Sequence, residues 1–541
     1  MGLGEPPDIP RAAAVNGSLR DVSVGALGRD QRLGESRGFA QRLRASADPA
    51  IAIVAGLTAL AAVLRFAGIG HQGFWFDEAS TVVLVHFSPG QMLGLIPQTE
   101  STPPLYYCLA WIWARVFGYG EAGLRSLSAL AGVLTVPLVY GAGAKLISRR
   151  AGLIAAALTA CNPFLIWYSQ EARAYALLVA LSALALLAFA YALSEPSPRT
   201  LGAWAIASAL SLATHYYALL AIAPQAIWLL GAHRRSRPVL VAIAAVGACG
   251  LAIIPLAISQ NQTGHASWIA QIALLPRLRQ ILPQFLIGTG APAPGVLEPI
   301  AAVLALLALG LLVTRAPPGA RRRSLTLGAL AAGALVLNLA LVALGIDDLI
   351  TRNVIVIWLP AALMVAGGLG AGRGCAGVLG IVAAVALCAI GIFAAVGVAS
   401  DRNLQRPDWR AVARVLGPRP SSADGRVILI QHYRNLLPLS LYLPGLKSLS
   451  PAARVSELDV ISISAPRQRL CWWGAACNLT SSTMQSSYPL AGFHVVWRRR
   501  ALQFTIMRLR SPRPVLLSRR AISDALTTTT LRHDALLAQA G

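Results

Sequence analysis

The sequence is poor in charged residues. Only 13% of its 541 residues are Asp, Glu, Lys or Arg, whereas about a quarter is usual for a soluble protein. Hydrophobic residues make up 56% of the chain, and the mean hydropathy is +0.61. Apolar runs of roughly 17–25 residues recur over the first 400 positions, and each can cross a hydrocarbon core about 30 Å thick as a helix. The runs are continuous rather than alternating, which excludes a membrane β-barrel and predicts a polytopic α-helical membrane protein.

Acidic residues are scarcer than basic ones. The chain has 22 Asp and Glu against 46 Lys and Arg, a net charge of +24. In a soluble protein such an excess would indicate nucleic-acid binding. In a membrane protein, however, Lys and Arg collect in cytoplasmic loops, and we expect no nucleic-acid partner.

Long polar stretches occur only near the two ends of the sequence. Residues 1–48 are rich in Gly, Arg, Ser and Ala and predict a disordered, basic cytoplasmic tail. The apolar run that follows is about 20 residues long, which fits a spanning helix better than a signal peptide. We therefore expect a transmembrane domain over 49–400 and a separate domain over 401–541.

Hydropathy predicts about eleven spans. They are 49–69, 124–144, 151–168, 174–193, 200–215, 217–232, 238–258, 296–314, 325–345, 353–371 and 376–398. The basic clusters around 11–44, 145–150, 234–237 and 315–323 fall on one face only if Thr102–Gly118 does not cross. We interpret that segment as a helix at the outer surface, with Trp and Tyr at headgroup level. Residues 401–541 then lie outside the membrane.

The C-terminal region has the pattern of a small α/β domain. Asp408–Leu416 has helical spacing, Arg426–Gln431 predicts a buried strand, and Phe493–Arg510 predicts two strands joined by a turn. Residues 511–541 have little patterning and are expected to be loose.

Seven cysteines are present. Five of them stand in apolar context, and we expect these to be small core residues. Cys471 and Cys477 belong to the outer domain, where an oxidising compartment favours a disulfide between them. A metal site is the weaker interpretation, because no His or further Cys is nearby.

Polar side chains recur at the outer ends of the predicted spans. Taken singly, each has an ordinary explanation: loop carboxylates are solvated, Arg reaches lipid phosphate, and His and Tyr anchor at the headgroups. Two acidic and two basic groups on one face favour a shared site. The candidates are Asp77 and Glu78; Glu171, Arg173 and Tyr175; His215 and Tyr216; and Arg352.

This residue set fits one chemistry. A carboxylate can accept a proton from, or orient, an attacking hydroxyl, while guanidinium and imidazole groups can hold a phosphate and stabilise the charge on it as it leaves. The combination predicts sugar transfer from a polyprenyl-phosphate carrier to an acceptor hydroxyl at the outer face.

The sequence also resembles a known family at these positions. "FWFDEAS", "TPPLYYCLAWIWARVFG", "YSQEARAYAL" and "THYYALL" are similar to bacterial glycosyltransferase family 39, which is related to protein O-mannosyltransferases and lipid A aminoarabinose transferases in the GT-C fold class. The resemblance is densest over residues 70–230, and returns in "TRNVIVIWLP" and "RPDWRAVARVL". It implies a multi-pass protein of the bacterial cytoplasmic (inner) membrane, with its active site on the periplasmic side.

The resemblance further implies roles for individual residues. Asp77 would be the catalytic carboxylate of an inverting displacement, Glu78 its neighbour, and Arg173 a residue near the donor. Many family members have His where this chain has Thr102, and Tyr where it has Asn353, which bears on the role of Arg352. Mg²⁺ or Mn²⁺ would suit paired carboxylates beside phosphate, but with two arginines at hand we expect no metal to be required.

Two other functions remain open from the sequence. A transporter or flippase of a lipid-linked sugar would use the same basic site, although it should also have polar groups at the membrane midplane. A non-catalytic cell-envelope scaffold would leave the acidic pair unexplained. The sugar, and whether the acceptor is a protein, a lipid or a glycan, are not specified by the sequence.

Overall fold

The computed structural model describes residues 48–418, 425–431, 437–463, 484–532 and 534–540. Most of the predicted tail and the predicted Cys471–Cys477 disulfide lie outside these residues. The chain divides into two units, residues 1–52 and 53–541. Of the first unit, Asp48–Ala52 are described. They begin a helix, and the Ala50 N–H donates to Asp48 Oδ1 at 3.1 Å.

Helices occupy the chain up to residue 416. In order, they are α1 Pro49–Phe66, α2 Phe76–His86, α3 Pro89–Thr99, α4 Leu105–Phe117, α5 Glu121–Leu146, α6 Arg149–Cys161, α7 Pro163–Ser169, α8 Tyr175–Ser194, α9 Pro198–Thr214, α10 Leu219–Ala232, α11 Arg237–Ala252, α12 Ile254–Gln262, α13 Leu274–Ile287, α14 Pro294–Arg315, α15 Pro318–Ala343, α16 Trp358–Leu369, α17 Gly374–Ser400 and α18 Trp409–Leu416. Short 3₁₀ turns precede α10, α16 and α18.

Every predicted span coincides with a helix or a helix pair. Among the described residues, seven helical segments are long and apolar enough to cross a membrane, one of which is α11 together with α12. The number is eight if the bent pair α6–α7 also counts as one span. The remaining three predicted spans are the shorter helices α9, α10 and α16. Helix α4, predicted at the outer surface, has 13 residues.

The helical core lies around α5 and α8. In α8, 67% of the most apolar window is buried inside the protein, against 17% in α1. Small residues allow close packing here: a Cβ on Gly143 would come within 2.8 Å of the Gly152 Cα. Such contacts replace the hydrophobic drive that is missing between helices in lipid.

A break between α6 and α7 shapes the loop that follows. The two helices meet at 57°, where Asn162 caps α7 through its Oδ1, which accepts from the Leu165 N–H at 3.0 Å. Pro163 fits the first helical position because it has no N–H to lose. The buried Arg65 donates to the carbonyls of Thr159 and Ala160, both at 3.0 Å, which satisfies the end of α6.

A mixed sheet forms the C-terminal domain. Its strands are β1 Gly425–Ile430, β2 Leu446–Ser448, β3 Ala452–Ile463, β4 His494–Ala501, β5 Phe504–Ser518 and β6 Ala535–Gln539. Their order is β2-β6-β1-β3-β5-β4, with β1 and β3 parallel and the other pairs antiparallel. Short helices α19 Leu437–Ser440 and α20 Arg519–Asp524 complete the domain.

The helix, the buried strand and the strand pair expected in this region are confirmed. The region after residue 511 differs from the loose end that the sequence predicted. Strand β5 continues to Ser518, and β6 pairs with both β1 and β2 inside the sheet. A five-residue strand is too short to show a period of its own, and its neighbours supply the pairing that the sequence does not reveal.

Candidate active site

The acidic pair stands in the first turn of α2. Trp75 precedes this helix with extended backbone, and the Ala79 N–H bonds the Trp75 carbonyl at 2.9 Å. Carboxylates are favoured at this end of a helix because the unpaired N–H groups carry partial positive charge. Adjacent residues of a helix point in different directions, so Asp77 and Glu78 face different surroundings.

Glu78 is fully buried and saturated with donors. Arg125 reaches it with Nε at 2.7 Å and Nη2 at 2.6 Å, and the Ala172 N–H donates to it at 2.8 Å. Burial alone would raise the pKa of Glu78, but the charge and hydrogen bonds of Arg125 hold it below its ordinary value. Arg125 also donates to the carbonyls of Ile69, Gln72 and Gly73. The pair therefore ties α5 to the loop that leads into α2.

Asp77 is more open. Its Oδ2 accepts from Arg352 Nη1 at 2.7 Å, and the two side chains are 17% and 16% exposed. Three aromatic rings surround the Arg352 guanidinium at about 6 Å: Trp75, Tyr175 and Trp268. Residues 275 positions apart thus meet in a partly open, aromatic-walled site.

Arg173 is buried beside the same helix. Its Nη1 donates to Glu100 Oε2 at 2.8 Å and to the Asp77 carbonyl at 3.1 Å. Tyr107 also donates to Glu100 Oε2, and its hydroxyl contacts Thr102 Oγ1 at 3.0 Å. Thr102, where family members often have His, therefore belongs to this hydrogen-bonded group.

Glu171 pairs with an arginine from the segment between the helical bundle and the sheet. Arg406 Nη2 lies 3.1 Å from Glu171 Oε2, and its guanidinium stacks 4.0 Å from the Trp167 ring centroid. Both side chains are almost wholly buried. Burial raises the pKa of Glu171 to about 7, although the charge of Arg406 opposes the shift.

The remaining predicted residues lie at the periphery. The His215 ring is 5.7 Å from that of Tyr175, and its Nδ1 accepts from the Tyr217 N–H at 3.2 Å. Tyr216 donates to Gln260 at 2.8 Å, and Gln260 in turn donates to the Thr102 carbonyl. Asn353, where family members often have Tyr, donates to the Asp348 carbonyl at 2.7 Å and shapes the loop that carries Arg352.

Unpaired polar atoms collect at this site. Buried side-chain nitrogen and oxygen atoms are normally hydrogen-bonded, yet five atoms here have no partner among the described residues. They are Trp75 Nε1, Glu100 Oε1, Glu171 Oε1, Arg352 Nε and Arg406 Nε. Donors and acceptors left over in one place are typical of a site that binds a polar ligand.

Four residues of the site were not predicted individually. Trp75, Glu100, Arg125 and Arg406 all contact the predicted residues. Trp75 and Arg406 lie within the stretches that carried the family resemblance, which was the one available signal. Arg125 falls inside a predicted span, where an arginine buried in a helix invites a search for a buried carboxylate.

The carboxylates of the site pair with arginines rather than with one another. Within the described residues, no three His, Cys, Asp or Glu side chains come together in a group that could hold a metal ion.

Comparisons with known proteins bear on the family and the fold of the chain. Residues 101–259 match the family described as dolichyl-phosphate-mannose-protein mannosyltransferase. The chain is similar to ArnT from Cupriavidus metallidurans in the apo state, with a TM-score of 0.50 and 13% identity over 85% of this chain and 98% of that one. No curated protein matches the sequence.

Two further solved structures are similar at lower scores. ArnT from the same organism bound to undecaprenyl phosphate has a TM-score of 0.48 and 13% identity, covering 84% of this chain and 97% of that one. The Pmt1-Pmt2 complex of S. cerevisiae bound to the sugar donor has a TM-score of 0.31 and 19% identity, covering 41% and 34%.

The fold is therefore that of a multi-pass membrane protein of the GT-C class, as the sequence resemblance predicted. The family match and the shared fold together place the chain in the GT-C glycosyltransferase superfamily.

Proposed function

We propose that this protein transfers a sugar from a polyprenyl-phosphate donor to an acceptor hydroxyl, with inversion at the anomeric carbon. The observation that carries the proposal is the contrast among four carboxylates. Glu78, Glu100 and Glu171 are at most 2% exposed, and each is paired with a buried arginine. The Asp77 side chain, at 17%, is the accessible one. A group that takes a proton from substrate has to be within reach of it.

The proposed reaction has one displacement step. The acceptor oxygen attacks the anomeric carbon while its proton passes to Asp77. The bond from the anomeric carbon to the phosphate oxygen breaks, and its electron pair leaves with the polyprenyl phosphate. Arg352 lies beside Asp77 and keeps an unpaired Nε, so it can donate to the departing phosphate.

The neighbouring residues have supporting roles in this proposal. Arg173 adds positive charge behind Asp77, because it donates to the Asp77 carbonyl. Glu78 positions the loop through Arg125 rather than touching substrate. Tyr175 and His215 line the Arg352 side of the site, whereas Tyr216 acts through Gln260. Since the arginines supply the positive charge, we propose that no metal is required; transfer should persist in excess EDTA.

We further propose that the site faces the outside of a bacterial cytoplasmic membrane. Helix α5 supports this orientation, because Arg125 at one end binds Glu78 while Lys145 lies 20 residues away at the other. That separation is about 30 Å of helix, close to the thickness of a hydrocarbon core. The basic clusters near 145–150 thus lie at the opposite end of α5 from the site, as a cytoplasmic location requires.

The test is the Asp77→Asn variant, purified in detergent and incubated with radiolabelled polyprenyl-phosphate sugars and candidate acceptors. Loss of the proton acceptor should lower the transfer rate by about 10²–10⁴-fold. The exposed Asp524→Asn variant in the sheet domain is the matched control and should keep the wild-type rate. Near-normal transfer by a folded Asp77→Asn protein would refute the assignment.

A further inference from the structure

A groove with a volume of about 800 Å³ opens on the sheet domain, outside the acidic site. Helix α18 forms one side, and the turn before β2 forms the other. The residues that matter for its chemistry are Arg410, Arg414, Tyr442, Pro444, Lys447 and Gln539. Its volume lies within the range of about 300–1,000 Å³ that is typical of ligand sites.

The charge of the groove is of one sign. Its described lining includes three cationic side chains and no acidic one. Arg410 is paired with Glu121, whose Oε1 lies 2.5 Å from its Nη2. Arg414 and Lys447 are exposed and form no ion pair within the described part of the chain. Two cations therefore remain free to bind an anion.

The end of α18 does not cancel this charge. A helix C-terminus normally presents partial negative charge from its last carbonyls. Here Arg426 donates to the carbonyls of Leu416 at 2.8 Å and Gly417 at 3.0 Å, and Arg508 donates to Leu416 at 2.7 Å. Because these carbonyls are already bonded to arginines, the groove stays electropositive beside the helix end.

Hydrogen bonds fix both walls of the groove. Gln539 Nε2 donates to the Pro444 carbonyl at 2.6 Å, which holds the turn against β6. Tyr442 donates to Glu121 at 2.7 Å and accepts from the Phe74 N–H. A cleft held in this way does not have to be ordered when a ligand binds.

The same residues connect the groove to the acidic site. Arg410 donates to the carbonyls of Gly70 and Gln72, and Tyr442 binds Phe74, three residues before Asp77. The groove therefore borders the loop that leads into α2, the helix that carries the proposed catalytic carboxylate. A molecule held there would lie beside the residues that hold this segment in place.

We propose that this groove binds the acceptor, and that the acceptor is an anionic glycan. The proposal rests on the transferase function proposed above. Arg414 and Lys447 bind carboxylate or phosphate groups on the chain, and the Tyr442 ring and Pro444 supply apolar surface for the faces of the sugars. A cleft of about 800 Å³ has room for more than one sugar unit, so it fits a polymer better than it fits the headgroups of a flat lipid surface.

The test is a binding measurement that needs no transfer. The full chain in neutral detergent is titrated against a fluorescein-labelled oligogalacturonate, with a neutral malto-oligosaccharide of equal length for comparison. We expect salt-sensitive binding of the acidic oligosaccharide alone. The Arg414→Gln/Lys447→Gln variant should bind about tenfold or more weakly, because each charged hydrogen bond is worth roughly a factor of ten.

A control variant that loses the same number of positive charges tests whether binding depends on the groove or only on the net positive charge of the domain. Arg454→Gln/Arg500→Gln removes two exposed cations elsewhere on the sheet and should bind like the wild type. Equal weakening in both double variants, or tighter binding to vesicles of anionic phospholipid than to the oligosaccharide, would overturn the proposal. Asp77→Asn should still bind the oligosaccharide. If Asp77→Asn loses transfer but still binds the oligosaccharide, both proposals are supported. If Arg414→Gln/Lys447→Gln loses oligosaccharide binding but keeps transfer, only the acceptor proposal is refuted.

Discussion

The molecule has two clusters of buried charged side chains, one in the helical bundle and one in the sheet. They differ in how many of their polar atoms have a hydrogen-bond partner. The bundle cluster contains the four carboxylate–arginine pairs of the candidate site. The sheet cluster joins Arg426, Arg508 and Arg510 to Glu457 and Asp459 across strands β1, β3 and β5. Both take charges out of water, which is costly unless the geometry is good.

The difference lies in the leftover atoms. In the bundle cluster, four buried side-chain atoms have no hydrogen-bond partner among the described residues: Glu100 Oε1, Glu171 Oε1, Arg352 Nε and Arg406 Nε. In the sheet cluster, no such unpartnered atom occurs on its five described charged residues. In the sheet, Glu457 contacts three arginines and Asp459 contacts two. Two of these arginines, Arg426 and Arg508, also bind the end of α18. A saturated network is typical of structure, and an unsaturated one of a binding site.

The distinction also separates residues within the bundle cluster. Glu78 and Arg125 resemble the sheet cluster, because each Glu78 oxygen has at least two donors. Asp77 and Arg352 do not. We therefore expect adjacent positions in one helix to have different roles: Glu78 holds the preceding loop through Arg125, and Asp77 is the carboxylate proposed to meet the substrate.

The largest effect is expected from Arg125→Ala. This change leaves the Glu78 carboxylate buried without its partner and removes the donor to three loop carbonyls, which should cost about 3–5 kcal/mol of stability. The loop that leads into α2 should shift and move Asp77 with it, so transfer by the protein that still folds should also fall. Thermal unfolding in detergent and the transfer assay measure the two effects.

Arg115→Ala is the control for that experiment. Arg115 is exposed on α4, where it bonds the Trp111 carbonyl at 2.6 Å and stacks on the Trp111 ring. Its loss should cost less than about 1 kcal/mol. If the two variants unfold at the same temperature, Glu78 and Arg125 do not anchor the loop.

A smaller effect, on stability but not on the transfer rate, is expected from Asp459→Ala in the sheet. Arg508, 12% exposed, loses its bonds to Asp459 at 2.7 and 3.1 Å but keeps Glu457. We expect a loss of about 3 kcal/mol in the stability of the protein. No described ion pair or hydrogen bond of this cluster reaches a residue before Leu416. The rate of transfer per folded molecule at saturating acceptor should therefore equal that of the wild type, and a clear drop would show that the sheet cluster contributes to the site.

The helical frame followed from the sequence because its signal is local. Continuous apolar runs marked each span. The break between α6 and α7 was not predicted, although the "NP" step at Asn162 and Pro163 coincides with it. Strands β1, β4 and β5 were also found, each having at least six residues with a regular pattern. Strands β2, β3 and β6 were not predicted, although β3 has 12 residues. For β6, the pairing partners β1 and β2 are distant in the chain.

The site could be predicted only in part, because its paired residues are also distant in the sequence. Asp77 could be singled out by its position at the end of a span, but its partner Arg352 lies 275 residues away. The pairing of Glu78 with Arg125, of Glu100 with Arg173 and of Glu171 with Arg406 depends on how helices pack, which hydropathy does not encode. The sequence therefore predicted Asp77, Glu78, Glu171, Arg173 and Arg352 as candidates. The structure adds Glu100, Arg125 and Arg406 and shows which of these groups have all their hydrogen-bond partners.

The smallest expected effect is a pH dependence of stability that comes from Glu171. It probes a buried carboxyl group that has an oxygen without a hydrogen-bond partner among the described residues. Its pKa of about 7 in the folded protein lies above the ordinary value of 4.5, so the folded state binds this proton more tightly than the unfolded state. Stability from this group is therefore highest at low pH, falls as the pH rises from about 4.5 to about 7, and is level above that. Between about pH 5.5 and pH 7 the loss of stability should be roughly 1.5 kcal/mol.

Thermal unfolding of wild type and Glu171→Gln over this range isolates the contribution of Glu171, because the other groups titrate in both proteins. The wild-type transition should move down relative to the variant as the pH rises; parallel curves would mean that Glu171 remains ionised beside Arg406 throughout.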